Sequence, residues 1–316
     1  MNPPAPADAP LLVCCGLATL DVVQVVDAVP GANQKVVARD LTVTFGGPAA
    51  NAAATAVALG VATRLVTALG ESPIADLVRA GLTAAGVEVV DLLAGRPGAP
   101  AVSTVLVTRA TGERAVVSVN ATSTGDLSVA DRADELLAGA TALLVDGHHL
   151  SAALELAARA DAPVLLDGGS WKPGLETLLA HVDHAVLSAD FRLSTGSTGV
   201  AGARAGGREA SALHLEAVHD LLEAVAALGP TFVAQSSGDG PVHVRMPEPA
   251  VVRPPAVPAD EVVDTLGAGD VLHGAMAAAL ARGSDPLAAL EEGVRRASES
   301  VRHAGALGWV AGAGHP

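Results

Sequence analysis

The sequence has no tyrosine, and aromatic residues make up only 2% of it, which excludes a core built on stacked rings. The core must instead consist of Ala, Val and Leu, because hydrophobic residues account for 50% of the chain. A chain of 316 residues can bury such a core and lies at the upper end of what one α/β domain usually contains. We therefore expect one main domain, and the abundance of alanine and glycine favours closely packed helices.

Lysine is also scarce, since only Lys35 and Lys172 occur among the 19 basic residues and the formal net charge is -15. The chain lacks a basic stripe that would follow a phosphate backbone, so the composition predicts no nucleic-acid partner. A small phosphorylated ligand remains compatible with this charge, because helix N-termini and turn amides bind anions locally.

Cysteine appears only as Cys14 and Cys15, next to each other in an apolar run. Successive side chains of a strand point to opposite faces, so this spacing disfavours a disulfide between them. Residues 1–10 lack the charged-then-apolar order of a secretion signal, and no apolar run reaches the ~18 residues that span a bilayer. We expect a cytoplasmic protein with no membrane partner, in which residues 1–10 form a disordered tail.

Continuous apolar segments have the pattern of buried parallel strands, and most are followed by helical patterns. These segments are residues 64–69, 142–146, 164–167, 184–188 and 231–235. One helix is expected to begin with Ser72 as its cap and Pro73 in its first turn. Its expected apolar face consists of Ile74, Leu77, Val78, Leu82 and Ala85. The alternation of strands and helices predicts an α/β domain with a mostly parallel sheet.

Other strand-like segments alternate polar and apolar residues. They lie at about residues 17–45 and 100–120, and a hairpin at residues 109–113 divides the second segment. This pattern predicts a small, half-exposed second sheet.

Residues 264–270, DTLGAGD, form the strongest functional pattern, and an apolar helical face follows them. A glycine turn that runs into a helix presents unpaired amides and the positive end of the helix dipole in one direction, which stabilises an anion. Asp270 in this turn can take the proton from a substrate hydroxyl while the amides hold the phosphate that the hydroxyl attacks. A purely structural alternative is that Gly267 and Gly269 shape the turn and Asp270 caps the helix.

Residues 46–51, GGPAAN, precede an alanine-rich helix and form the second functional pattern. Pro48 suits a first helical turn, and the two glycines let another group approach the backbone closely. Asn51 then lies in the first turn and faces whatever precedes the helix. The alternative is a glycine pair that serves packing, with Asn51 as a local backbone partner.

These two segments, in this order and at opposite ends of the chain, resemble the two signatures of the PfkB (ribokinase-like) family of carbohydrate kinases. The resemblance covers about residues 11–309 and includes residues 16–21 and the hairpin near Gly112. It implies a three-layer α/β/α domain whose small sheet is a lid, with ATP and Mg²⁺ as cofactors. The implied reaction is phosphorylation of a sugar hydroxyl, and the sequence looks most similar to the ketohexokinase and sulfofructose kinase branch.

The resemblance also implies roles for individual residues. The catalytic group would comprise Asp270 as base and the amides of Gly267, Ala268 and Gly269 as anion hole. The sugar hydroxyls would be bound by Asp21, Gly47 and Asn51. The nucleotide side would include Gln235, Gly238, Gly240 and Thr265. A loop that binds K⁺ through backbone carbonyls would lie around Asp264 and Leu266.

The sequence departs from the family pattern in three places. Relatives carry an Asn-x-x-Glu element that organises magnesium and phosphate, whereas residues 188–190 read SAD. Asp190 is therefore the candidate for this role, acting through water. Relatives carry a Thr-x-Gly turn where residues 235–240 read QSSGDG. The arginine that follows the lid hairpin in ketohexokinase-like relatives is missing, and Asn120 is the nearest polar candidate. A neutral sugar therefore fits better than an anionic one, although Lys35 and Arg39 belong to a lid segment.

Four histidines lie within residues 148–184, but their spacing does not match a compact zinc cluster. We expect His181 and His184 to face solvent. Asp146 and His148 follow the C-terminal end of a strand, where α/β sheets place ligands, so both are substrate-side candidates.

The sequence disfavours three alternatives to a sugar kinase. The lack of Tyr and the scarcity of Phe near the lid disfavour a nucleoside kinase of the same fold. The intact residues 267–270 disfavour a non-catalytic sugar-binding regulator. A dinucleotide-binding dehydrogenase would need a Gly-x-Gly-x-x-Gly turn where residues 15–18 read CGLA. The resemblance further implies a homodimer through the lid, because a half-exposed sheet with apolar positions needs a cover.

Overall fold

The computed structural model describes residues 9–119, 125, 127–193 and 208–310. The helices in these ranges are α1 (Pro48–Ala58), α2 (Pro73–Ala84), α3 (Ala133–Leu137), α4 (Leu150–Ala157), α5 (Leu175–Leu179), α6 (Arg208–Ala226), α7 (Ala268–Ala281) and α8 (Pro286–Ser300). Within these segments, no helix combines the length and the apolar character that crossing a membrane requires.

A nine-stranded sheet forms the centre of the fold. In spatial order its strands are β13 (Ala250–Val252), β12 (Gly240–Arg245), β11 (Phe232–Ser237), β10 (His184–Leu187), β9 (Val164–Gly168), β8 (Ala142–Val145), β1 (Leu11–Cys15), β4 (Ala62–Thr67) and β5 (Glu88–Asp91). The strands from β11 to β5 pair in parallel, while β12 and β13 add an antiparallel edge. The prediction of a mostly parallel sheet is confirmed.

Alternate residues of the central strand β1 point into two separate hydrophobic clusters. Leu12 and Cys14 belong to one cluster, which also contains residues of α1, α2, α7 and α8. Val13 and Cys15 belong to the other, which contains residues of α3, α4, α5 and α6. Helices therefore cover both faces of the sheet, as the three-layer prediction required, and the two cysteines are buried and free on opposite faces.

The small second sheet has the strand order β3 (Asp40–Gly46), β2 (Thr19–Val26), β6 (Ala101–Thr108) and β7 (Arg114–Ser118). Strands β2 and β6 pair in parallel, and the two outer pairings are antiparallel. Most of β3 and β7 is exposed or half-buried, in agreement with the alternating sequence pattern.

Two expectations about local burial are wrong. Leu77 is 58% exposed, because the buried stripe of α2 runs through Ala75, Val78 and Leu82 and Leu77 falls beside it. His184 is 9% exposed and packs edge-to-face on Phe232, with 5.8 Å between ring centroids. It opens β10, and this strand lies inside a sheet that is covered on both faces, whereas His181 is exposed as expected.

Candidate active site

A left-handed turn at Gly267 (φ 74°) starts helix α7. A Cβ atom at this position would lie 2.4 Å from the Cβ of Ala306, so only glycine fits. Asp264 holds the turn in place, because its carboxylate accepts hydrogen bonds from the amides of Leu266 (2.8 Å) and Gly305 (2.9 Å). The local sequence thus dictates a tight turn whose amides are followed directly by a helix.

The amides of Gly267, Gly269 and Asp270 have no hydrogen-bond acceptor among the described parts of the chain. The amide of Ala268 differs, since it points to the carbonyl of Thr265 at 3.4 Å. A Cβ atom built on Gly269 would meet nothing within 4 Å, so this side of the turn is open. Unpaired amides at the positive end of a helix dipole form an anion-binding surface.

The carboxylate of Asp270 lies in the same turn and is partly withdrawn from water. Burial, together with repulsion from the carboxylate of Asp167, raises the pKa of Asp270 to about 7. Hydrogen bonding from Asn51 and the positive charges of His273 and Arg114 oppose this rise. A carboxylate that titrates near neutral pH is suited to accept a proton from a hydroxyl.

Helix α1 brings Asn51 to this carboxylate. Its Nδ2 donates to Oδ2 of Asp270 at 2.7 Å. Helices α1 and α7 approach closely because Gly274 has no side chain, and a Cβ there would come within 2.4 Å of the Ala52 carbonyl oxygen. Gly47, at φ 96°, allows α1 to start against the backbone of Leu17, where a Cβ would lie 2.5 Å from the carbonyl oxygen.

Asp21 on β2 lies beside the start of α1. It is buried, its Oδ1 accepts a 2.6 Å hydrogen bond from Oγ1 of Thr19, and a Cβ on Gly46 would lie 2.0 Å from its Oδ2. Burial raises the pKa of Asp21, while the hydroxyls of Thr19 and Ser103 oppose the rise. The glycine pair at 46–47 therefore makes room for this carboxylate as well as for the helix start.

Asp146, a substrate-side candidate, serves instead as an internal anchor. Its carboxylate accepts hydrogen bonds from the amides of Leu17 (2.8 Å), Ala49 (3.2 Å) and His148 (2.8 Å). Burial by itself would raise the pKa of Asp146, but His148, the amide of Leu17 and the charge of Lys172 hold it below its usual value. His148 remains half-buried beside it, with Nδ1 3.1 Å from Oδ1 of Asp146.

Two buried residues that the sequence patterns did not single out lie beside Asp270. Asp167 is the penultimate residue of strand β9, and His273 follows Asp270 by three residues on α7, with 3.3 Å between Oδ2 of Asp167 and Nδ1 of His273. Burial raises the pKa of Asp167. Its place at the C-terminal end of a parallel strand was the signal that marks it as a site residue.

A cavity of about 760 Å³ opens beside the turn, within the roughly 300–1,000 Å³ typical of sites for small molecules and cofactors. Thr265, Ala268 and Gly269 form the wall nearest Asp270, and Gly238 lines it further away. The opposite walls are mostly apolar and come from residues 254–262 and from α8. Arg114 of the small sheet also lines this cavity and donates to the carbonyl of Thr265 at 2.8 Å.

The remaining nucleotide-side candidates are not part of this cavity. Gly240 lies in a tight turn opposite Ser237. Gln235 lines a neighbouring cavity of about 500 Å³, and its Nε2 donates to the carbonyl of Ser188. Asp190 is exposed and lines neither cavity. Asn120 lies outside the described residues.

Known proteins share the sequence pattern and the fold of this chain. The profile of the pfkB family carbohydrate kinases matches residues 9–309. A putative ribokinase from Agrobacterium tumefaciens is 24% identical, with a TM-score of 0.73 over 95% of this chain and 94% of that chain. The ribokinase of Arabidopsis thaliana, solved with ribose and ATP, is 22% identical, with a TM-score of 0.70 over 96% of both chains.

A nucleoside kinase from Methanocaldococcus jannaschii is also similar, at 16% identity, with a TM-score of 0.65 over 95% of this chain and 94% of that chain. At such identities the solved structures demonstrate a shared ribokinase-like fold. The match of the family profile covers nearly the whole chain, including both glycine segments and the strands between them.

Proposed function

Since this chain belongs to the pfkB family of carbohydrate kinases, we propose that it transfers the γ-phosphoryl group of ATP to a primary hydroxyl of a ketose or a related monosaccharide. Asp270 is the general base of this reaction. The observation that carries the proposal is the combination of a carboxylate with a pKa of about 7 and unpaired amides in one turn, next to a cavity of about 760 Å³.

The chemistry follows from this arrangement. Asp270 takes the proton of the sugar hydroxyl as its oxygen forms a bond to the γ-phosphorus, and the bond from that phosphorus to the leaving oxygen of ADP breaks. Negative charge on the transferring group is stabilised by the unpaired amides of Gly267 and Gly269. The amide of Ala268, which has a long contact to the Thr265 carbonyl, contributes less unless that contact opens.

The nucleotide fits the cavity beside α7. Its apolar walls suit a purine ring, and Thr265 and Gly238 lie on the side where phosphates would approach the helix N-terminus. Mg²⁺, when bound with ATP, neutralises charge on the β- and γ-phosphates. Asp190, Gln235 and Gly240 lie outside this cavity, so we do not assign Mg²⁺ or phosphate contacts to them. The carbonyls around Asp264 and Leu266 would hold K⁺.

The sugar lies on the other side of Asp270, against the second glycine segment. Asp21, Gly47 and Asn51 would bind its hydroxyls, and a buried carboxylate such as Asp21 suits this role because it accepts hydrogen bonds when ionised. His148 and Asn120 complete the proposed set. A neutral sugar is favoured, because the arginine that follows the lid hairpin in ketohexokinase-like relatives is missing from this sequence.

The small sheet acts as a lid and as the surface of a homodimer. Val43, Val22, Thr104 and Val117 form one row of cross-strand neighbours, so they share a face of the sheet. Val43 is 49% and Val117 74% exposed. An apolar face of this kind is stabilised when a second copy of the same lid covers it. On the opposite side of the lid, Arg114 donates a hydrogen bond to Thr265. This contact connects the lid to residues 264–270, which we call the catalytic turn.

A screen for ADP release tests this function. The purified protein is incubated with Mg-ATP and with fructose, other ketoses, ribose, ketodeoxy sugar acids or nucleosides, with and without K⁺. We expect a ketose to give the highest rate, and Asp270→Asn to lose at least about a thousandfold of that rate while sugar binding persists.

Asp161→Asn is the matched control, because Asp161 is exposed and no acceptor or donor in the described chain contacts it. It should leave the rate unchanged. A clear preference for a nucleoside would replace the sugar assignment, and turnover that survives in Asp270→Asn would remove the proposed mechanism. Sugar binding without any turnover would indicate a regulatory binding protein.

A further inference from the structure

His273 is buried between two carbonyl oxygens that belong to different elements. Its Nδ1 lies 2.7 Å from the carbonyl oxygen of Gly269 in the catalytic turn. Its Nε2 lies 3.0 Å from the carbonyl oxygen of Val186 on strand β10. The side chain is only 7% exposed, so water does not replace either partner.

Both partners are acceptors, and this decides the protonation of the ring. A carbonyl oxygen has lone pairs but no proton to donate, so each ring nitrogen that faces one must carry a hydrogen. A neutral imidazole carries only one such hydrogen and would turn a lone pair toward the other carbonyl. The geometry therefore fits the doubly protonated imidazolium, and Asp167, 3.3 Å from Nδ1, supplies the opposite charge.

The charged groups around this pair come from several elements. The charges of Asp167, His273 and Arg114 act on the pKa of Asp270 on α7, which also accepts a hydrogen bond from Asn51. The pKa of Asp167 on β9 is in turn affected by charged groups in the segments after β8 and β9, namely Asp146, His148 and Lys172. The imidazolium thus interacts electrostatically with both carboxylates, Asp167 and Asp270.

We propose that His273 and Asp167 form a buried ion pair that positions the catalytic turn and holds Asp270 in its proton-accepting form. The pair ties the carbonyl of Gly269 to the central sheet, which fixes the amides on either side of it. It also places one positive charge against two carboxylates, so that Asp270 ionises near neutral pH although Asp167 repels it. This role rests on the proposed function, since it assigns a positioning pair to the same base.

The effects of the two charges are distinguished by two variants, one that removes the positive charge of His273 and one that removes the negative charge of Asp167. His273→Asn removes the positive charge and should move the titration of Asp270 to higher pH by about one unit, while Asp167→Asn removes the repelling charge and should move it down by about one unit. In the double variant the two effects should largely cancel. A role in packing alone would instead lower the midpoint of thermal unfolding in each variant without opposite pH shifts.

The titration is measured in two ways. The ¹³C signal of the Asp270 carboxyl, assigned by its absence in Asp270→Asn, is followed from pH 4 to pH 9, and the acid limb of kcat/KM is recorded over the same range in each variant that turns over sugar. In the wild type, ¹⁵N spectra should show both nitrogens of His273 protonated at pH 7, with His273→Asn as the assignment control.

The outcomes distinguish this inference from the function on which it rests. Opposite shifts of the Asp270 carboxyl signal in a protein that phosphorylates no substrate support the ion pair and remove the kinase proposal. An active kinase in which His273 is neutral at pH 7, or in which both single variants shift the signal in the same direction, overturns the ion pair.

Discussion

Asn51 donates a 2.7 Å hydrogen bond to Asp270 although 219 residues separate the two in the sequence. The contact joins the two glycine segments that begin α1 and α7, so the residue proposed to bind sugar also orients the residue proposed to take its proton. Binding and proton transfer are thereby linked through one amide group.

The first prediction concerns this amide. Asn51→Ala removes a donor that lowers the pKa of Asp270, so the base should ionise at higher pH and kcat/KM at pH 7 should fall by about tenfold or more. Thr55→Val is the matched control on α1, because the Thr55 hydroxyl is buried without a hydrogen-bond partner. Steady-state kinetics would contradict the role of Asn51 if the two variants behaved alike.

The second prediction is the pH dependence of the wild-type enzyme. The pKa of Asp270 is raised to about 7 from the ordinary value for an aspartate, and a general base works only when it is ionised. Therefore kcat/KM should be near its plateau at pH 8 and should fall about tenfold for each pH unit well below 7. An acid limb that appears only near pH 4 would show that Asp270 is not buried beside a second carboxylate in solution.

A third prediction tests the space around Asp21. Gly46→Ala places a Cβ where the Asp21 carboxylate lies, 2.0 Å from Oδ2, so the carboxylate must move. We expect KM for the sugar to rise by about tenfold or more while KM for ATP stays the same, because a displacement of about 1 Å is enough to lose a positioned contact.

Gly31→Ala is the control for this change, since the nearest atom to its added Cβ is 3.8 Å away and the residue lies in the connection between β2 and β3. Both variants add one methyl group within the same lid segment. If both raise KM for the sugar equally, the effect comes from the lid in general and not from Asp21.

The fourth prediction concerns the outer face of the lid. Val43→Lys combined with Val117→Lys puts charges on exposed apolar positions of one face, and burying unpaired like charges in a self-complementary interface is unfavourable. Light scattering coupled to size-exclusion chromatography should show a dimer for the wild type and mostly monomer for the variant. Val251→Lys, at a 50% exposed position on the edge strand β13, should leave the dimer intact. A monomeric wild type would refute the lid interface.

Much of the architecture followed from the order of residues. The continuous apolar runs become parallel strands and the alternating runs become the small sheet, because side-chain period and burial on one or two faces are local properties of a strand. The turn before α7 was also predictable, because a glycine such as Gly267 adopts the left-handed conformation (φ 74°) that other residues disfavour, and the apolar helical pattern begins directly after it.

Side-chain roles at the strand ends required the tertiary structure. Asp146 and Asp167 both lie near the C-terminal ends of neighbouring buried strands, yet three amides donate hydrogen bonds to Asp146, whereas Asp167 lies beside Asp270 and 3.3 Å from His273. The prediction that His184 faces solvent is wrong for the same reason, because its burial depends on which layer covers β10.

The sequence by itself determined the layers, the two glycine turns and the identity of the proposed base. Only the tertiary structure decided which carboxylate accepts hydrogen bonds from amides, which one faces another carboxylate, and that Asn51 donates a hydrogen bond to Asp270. The physical reason is that the energy of a buried charge depends on the groups within a few ångströms of it, and distant segments supply those groups here.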